Sequence, residues 1–235
     1  MKKIRPFVIE HKDLNELLPL ATPLTLVVEM GDKCNFKCRF CYNSKREENS
    51  GNFFSIELFK KIISELAMFG EPIDTFRITG DVEPLLHPQF TDFIKIAKQS
   101  GNVKYVRMST NASLLTPELS RDIIESGMDI IQISINGMDN DHYKYVTNTD
   151  VDFETIKRNI EYLHSIKRQA HIHIKCIGDM FSEEQRHEFM KVFKPMSDSI
   201  NIEWMANQWL DMELDTVKGR NRYELNVDES ALITK

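Results

Sequence analysis

Short apolar runs alternate with amphipathic stretches along most of the chain. The runs are LTLVVEM (24–30), DTFRITG (74–80), YVRMSTN (105–111), DIIQISIN (129–136), HIHIKCIG (171–178) and SINIEWM (199–205). They are rich in Val, Ile, Thr and Phe, the residues that fit a pleated, half-buried surface, and they predict six strands. The stretches between them carry helix punctuation. Ser55 is placed to cap IELFKKIISELAMF, and Gly70 ends it. Pro88 suits the first turn of a helix closed by Gly101, and Thr116-Pro117 opens another closed by Gly127. Phe153, Ile156, Ile160, Leu163 and Ile166 repeat with a helical period over 152–169, and Ser182 with Gln185 fits a capping box.

Six strand-then-helix units in series predict an α/β fold of parallel strands joined by right-handed crossovers. Six is fewer than the eight of a closed barrel, so the expectation is a partial (β/α)6 barrel, TIM-like but open, in a single domain over 24–206. Residues 1–23 read as an N-terminal extension. After residue 206 the alternation stops, and 207–235 reads as an extension or linker. No internal repeat or low-complexity segment interrupts the pattern.

Composition narrows the partners. The chain has 235 residues, 41% of them hydrophobic, and a formal net charge of −6, with a pI near 5.7. That balance lacks the basic footprint of a nucleic-acid binder. The N-terminus MKKIRPFVIEHKDL has lysines but no apolar run behind them, so it does not read as a secretory signal. No stretch reaches the ~20 apolar residues that span a bilayer. The expectation is a cytoplasmic protein with neither a membrane nor a nucleic-acid partner. Four cysteines, three of them clustered, read as metal ligands rather than a disulfide framework.

The chemically distinctive residues fall at strand ends. In parallel α/β folds, sites form at the carboxyl ends of the strands. The loop KCNFKCRFCYN follows the first strand, TGDVEP (79–84) the second, and STNAS (109–113) ends the third. Ser134 and Asn136 end the fourth, Lys175 and Cys176 lie late in the fifth, and Glu203 and Trp204 late in the sixth. Cys34, Cys38 and Cys41 are spaced C-x3-C-x2-C. Structural zinc sites close with four ligands, usually as two pairs, and no second pair follows; the next histidine is His87. Closely spaced cysteines also hold iron–sulfur clusters, and three of them leave one iron with an open position. A [4Fe–4S] cluster is the leading reading. Zinc with three cysteines and one distant ligand is the alternative.

This cysteine motif, with Phe40 before its last cysteine, resembles the signature of the radical S-adenosylmethionine superfamily. The resemblance covers about residues 24–205. TGDVEPLLHP is similar to the family's Gly-Glu-Pro motif, STNASLLTPEL to its third-strand turn, and ISING to its fourth-strand ribose motif. The resemblance implies that Cys34, Cys38 and Cys41 each ligate one iron, while the fourth binds the methionine part of S-adenosylmethionine. It implies that Glu83 accepts a hydrogen bond from the cofactor's ammonium, with Pro84 aiming it and Thr79 and Gly80 beside it. Phe40 would pack on the adenine, with Tyr42 flanking the last cysteine. Ser134 would reach the ribose, helped by Asn136 or Asn111, and Lys175 would meet the cofactor carboxylate or the substrate. Cys176 reads as a small buried thiol. His171 and His173, on one face of a strand, read as structural.

The implied activity is reductive cleavage of S-adenosylmethionine to a 5′-deoxyadenosyl radical that abstracts hydrogen from a substrate. An external one-electron reductant of the flavodoxin or ferredoxin type is required. No catalytic residue is expected beyond cluster and cofactor, and the cluster should be oxygen-sensitive. Residues 76–136 look most like the SPASM-type enzymes, many of which modify peptides or proteins while others act on small molecules such as sugars. The later cysteines of that type are absent from this sequence, so it reads either as a natural short form or as a fragment. Three positions depart from the family pattern. Val82 stands where glycine often precedes Glu-Pro, Ala112 where glycine usually follows STN, and Asn136 where many relatives carry aspartate. Val82 is the most awkward, since β-branched residues resist positive φ. These departures keep open a second reading, a relative that holds the cluster without turnover. A zinc-stabilised binding module is the third.

Overall fold

A computed structural model of the chain describes residues 18–45 and 51–205. The expected C-terminal extension 207–235 and the first 17 residues of the N-terminal one lie outside the described residues. Six strands, β1 (Thr25–Val28), β2 (Ile73–Ile78), β3 (Val103–Thr110), β4 (Ile130–Ile135), β5 (His171–Ile177) and β6 (Ser199–Glu203), form one sheet in sequence order. Every neighbouring pair is parallel. The expected α/β partial barrel is the fold observed. Among the described residues no pairing of β1 with β6 closes the sheet.

Among the described residues six α-helices follow the strands: α1 (Ile56–Glu65), α2 (Phe90–Gln99), α3 (Pro117–Glu125), α4 (Asn140–Thr147), α5 (Phe153–Ile166) and α6 (Glu183–Phe193). None is long and apolar enough to cross a membrane. The caps act as their chemistry dictates. Ser55 accepts from the Leu58 N–H, Thr116 from Leu119, and Ser182 and Gln185 form the reciprocal box. Gly70 and Gly127 take the left-handed backbone their positions require, at φ 81° and 93°. Pro88 is a correction: α2 begins at Phe90, and Pro88 lies in the turn before it. A proline there fits equally well, because it offers no N–H that the turn must satisfy. A larger correction is α4, which lies in a stretch for which the sequence reading names no element.

Strand alternation sorts the sheet into two faces. Phe76, Ile78, Val106, Met108, Ile131, Ile133, Ile172 and Ile174 are fully buried under the helices. Phe76 lies 4.9 Å from Phe59 of α1, which in turn lies 4.9 Å from Phe93 of α2, measured between ring centroids. The alternate positions, on the concave face, are mostly polar, with Arg77, Arg107, Ser109, Gln132, Ser134, His173, Lys175, Asn201 and Glu203, although Val27, Tyr105, Ile130 and Ile177 share that face. One face makes the core, and the other is left for chemistry.

Candidate active site

The loop after β1 carries Cys34, Cys38 and Cys41, none of them in a disulfide and each half-buried. Cys34 and Cys38 pack against the core. Burial pushes the Cys34 thiol up to about 11, and burial with the charges of Cys41 and Cys34 pushes Cys38 up further. As thiolates these sulfurs need positive charge beside them, which is what iron supplies on ligation. A mononuclear zinc site needs its donors gathered around one point. Among the described residues no three His, Cys, Asp or Glu side chains converge in that way. A cubane asks something different, one thiolate for each of several irons, and a single loop with three sulfurs fits that demand.

Helix α4 holds this loop. The Lys37 N–H donates to the Thr147 carbonyl and the Arg39 N–H to the Val146 carbonyl, both at 2.9 Å. Asn148, in left-handed backbone at φ 52°, donates from Nδ2 to the Lys37 carbonyl at 2.9 Å. The helix approaches closely because Gly137 lacks a side chain; a Cβ there would lie 2.6 Å from the Tyr143 backbone nitrogen. Tyr143 itself is fully buried, with its ring edge-on to Phe36 of the cysteine loop at 6.3 Å.

The second and third strand turns are joined through Glu83, which is 3% exposed. Its Oε1 accepts from Thr110 Oγ1 at 2.7 Å and from the Leu85 N–H at 3.1 Å; its Oε2 accepts from the Asn111 N–H at 2.8 Å. Burial raises its carboxyl to about 7, against the pull of those three donors. A carboxylate has about four acceptor sites, so one is left over. Its backbone N–H bonds the Lys33 carbonyl at 3.0 Å, which ties this turn to the cysteine loop. Pro84 is buried at the start of a short helical turn and follows Glu83 in extended backbone.

Val82 is the other correction. Positive φ falls on Gly80, at 142°, and on Ala112, at 61°, and Val82 is under no such strain. A Cβ on Gly80 would collide with the Glu29 carboxylate, which accepts from the Asp81 N–H at 3.1 Å. The turn's strain thus sits on the residue best able to carry it. Ala112 carries the other left-handed position as a buried alanine.

The remaining expected site residues divide. Asn111 gives Nδ2 to Asn35 at 2.9 Å and receives the Ser113 N–H and hydroxyl on Oδ1, so its amide is occupied as a brace. Asn35 also donates to Ser113 Oγ at 2.8 Å. Asn136 is buried and its Nδ2 reaches the Ser134 carbonyl at 3.4 Å. Ser134 and Phe40 are half-buried, Tyr42 is exposed, and the Thr79 N–H bonds the Val28 carbonyl at 3.2 Å. Lys175 pairs with Glu203 at 2.6 Å on the concave face. His171 and His173 both meet the Ser199 hydroxyl at 2.8 Å. Burial, then the charges of Arg107, Lys175 and His171, hold His173 down to about 4. Cys176 is buried, and burial pushes its thiol up to about 12. Asn35, Glu29, Tyr143 and Asn148 are functional-looking residues that the sequence reading missed. For Asn35 the signal was an amide inside the cysteine motif. For α4 it was the capping pattern of Asp139, which accepts from the His142 N–H at 2.7 Å.

Against known proteins, the chain matches the sequence profile of the Radical SAM superfamily over residues 28–194. It is 29% identical over 142 residues to a probable GTP 3′,8-cyclase of Methanocella arvoryzae, covering 60% of this chain and 44% of that protein. The chain thus spans less than half the length of that curated relative. Its fold is similar to that of Streptococcus suis SuiB bound to S-adenosylmethionine. The TM-score is 0.68 and the identity 18%, covering 88% of this chain and 46% of that one. SuiB bound to its precursor peptide SuiA gives a TM-score of 0.65 at 19% identity, covering 81% and 41%. Since the profile covers more than half of the chain and the partial barrel accompanies it, the protein belongs to the radical SAM superfamily, whose members use a [4Fe–4S] cluster and S-adenosylmethionine.

Proposed function

We propose that the protein is a radical S-adenosylmethionine enzyme in which Cys34, Cys38 and Cys41 each ligate one iron of a [4Fe–4S] cluster. The observation that carries this reading is three half-buried thiols on one loop, braced to the turns after β2 and β3 through Asn35, Lys33 and Glu83. A cluster held by Cys34, Cys38 and Cys41 would supply one-electron reductive cleavage of S-adenosylmethionine, the chemistry that starts hydrogen abstraction from a substrate. The protein's share is placement and exclusion of water. Glu83 offers its one remaining acceptor site to the cofactor ammonium, a charge-assisted contact. Ser134 would offer its hydroxyl to the ribose, helped by Asn136. Phe40 would pack on the adenine, with Tyr42, Thr79 and Gly80 beside the cofactor. Asn111 acts through Asn35 and Ser113 by fixing the turn. Lys175, held by Glu203, faces the substrate side.

The electron comes from a flavodoxin- or ferredoxin-type donor in a reducing cytoplasm. A peptide or protein is the favoured substrate, a reading that the fold shared with SuiB supports. A second reading is a small anionic substrate. It is favoured by the concave face, where Arg77 and Arg107 are register partners and only Glu203 is acidic among the strand positions named above. The GTP-cyclase relative points the same way.

The test is anaerobic reconstitution, addition of dithionite and S-adenosylmethionine, and mass spectrometry for 5′-deoxyadenosine. Its formation, and its loss together with iron in Cys38→Ala, is expected. A Cys38→Ala variant that retains full iron content would overturn the cluster assignment.

A further inference from the structure

Tyr143 carries a buried hydroxyl whose proton no group among the described residues accepts. The side chain is fully buried and is among the largest buried in the chain. Its hydroxyl makes no hydrogen bond among the described residues. Native interiors rarely leave such a group unsatisfied, and those that do call for an explanation. The polar group facing it is the backbone N–H of Asn136, which can only donate. The hydroxyl oxygen can receive that N–H, but its own proton has no acceptor.

The surroundings indicate where an acceptor would arrive. The bonds from Lys37 to Thr147 and from Arg39 to Val146 bracket Cys38 and press it against α4. Thr147 lies one turn beyond Tyr143 and returns a hydrogen bond to the Tyr143 carbonyl at 2.8 Å. Phe36, two residues before Cys38, lies edge-on to the Tyr143 ring. Charge on Cys38 is felt at the phenol.

We propose that Tyr143 is a positioning residue for the cluster: its hydroxyl donates a hydrogen bond to sulfur, either the Cys38 thiolate or a sulfide beside it, on the buried side of the cysteine loop. Hydrogen bonds to cluster sulfur stabilise the more negative, reduced state and raise the reduction potential. The orphaned proton is thus the unmet half of a contact that the cluster completes. The inference rests on the reading that Cys38 ligates iron.

The test compares the reconstituted wild-type protein with Tyr143→Phe by redox titration monitored by electron paramagnetic resonance. Losing one donor to charged sulfur should shift the reduction equilibrium about tenfold, which for a one-electron couple lowers the midpoint by about 59 mV. Phe36→Leu, which loosens the same packing without touching the hydroxyl, should leave the midpoint in place. A purely structural hydroxyl would instead alter the apoprotein melt and not the potential. An unchanged midpoint in Tyr143→Phe overturns the proposal. Should that variant take up no iron, wild-type protein labelled with 3,5-difluorotyrosine supplies a stronger donor at the same place; its midpoint should rise, and an unchanged value is equally fatal. Failure of the wild-type protein to hold a cluster would instead refute the cluster reading itself.

Discussion

Asn148 couples two parts of the chain far apart in sequence, and its contribution divides into two separable terms. The first is backbone: at φ 52° an ordinary L-residue is strained, while asparagine and glycine tolerate the position. The second is the bond from Nδ2 to the Lys37 carbonyl at 2.9 Å. Asn148→Ala loses both. The left-handed backbone costs about 1 kcal/mol, and the bond, which lies at the surface, about 1 kcal/mol. Asn148→Gly loses only the bond, so about 1 kcal/mol remains. For a domain of this size each kcal/mol moves Tm by about 2–4 °C. The alanine variant should therefore melt about 4–8 °C below wild type, and the glycine variant about half as far. Hydrogen exchange should localise the change. The Lys37 and Arg39 amides, which donate to the end of α4, should lose protection in both variants, more in alanine. Equal melting of the alanine and glycine variants would refute the backbone term. A glycine variant that melts like wild type, with both amides protected, would refute the claim that this bond holds the cysteine loop.

Gly80→Ala should force the Glu29 carboxylate away from the Asp81 N–H and cost about 1–3 kcal/mol, read as a lowered melt and weakened S-adenosylmethionine binding in calorimetry. Gly137→Ala places a methyl group against the Tyr143 backbone; a loss of about 1–3 kcal/mol and reduced iron content after reconstitution are expected. His173 makes the fold acid-labile. Its folded value of about 4 lies below the usual histidine value, so the unfolded chain binds the proton more readily. The stability it contributes is whole above about pH 6.5 and is lost as pH falls through the folded value. The stability of wild type relative to His173→Gln should therefore drop by about 1–3 kcal/mol between pH 7 and pH 4, measured by urea midpoints; a constant difference would contradict the assignment.

Much of the fold was legible because periodicity is local. The strand HIHIKCI shows how: Ile172, Ile174 and Cys176 read as one apolar face, and His171, His173 and Lys175 as another. The same alternation announced both the core and the polar concave face. Capping signals at Ser55, Thr116 and Ser182 gave helix starts because each involves residues three apart. Helix α4 escaped because its stretch NDHYKYVT is mostly polar, and two of its buried positions, His142 and Thr147, are polar themselves, so the helical spacing of burial is not written in apolar residues. Its one clear signal was the Asp139 cap.

The part of the candidate site that was not legible has a common physical cause: it is made of pairs, not of residues. Asn111 in the third-strand turn looks like a ligand-contacting amide until Asn35, 76 positions away, occupies its Nδ2. Glu83 looks like a free carboxylate until Thr110 and Asn111, 27 and 28 positions on, take three-dimensional possession of it. Each contact removes a group from the pool available to a cofactor and converts it into a brace for one that remains. Counting acceptor sites then becomes informative in a way the motif alone is not. Glu83 keeps one acceptor site, Asn111 keeps one of its two Nδ2 protons while its Oδ1 is filled by Ser113, and Tyr143 keeps a proton with no acceptor among the described residues. A buried polar group with a single unmet valence specifies what must arrive far more narrowly than an exposed one, because water cannot stand in for the missing partner. By that criterion the interior side of the cysteine loop belongs to the proposed cluster site together with the three thiols.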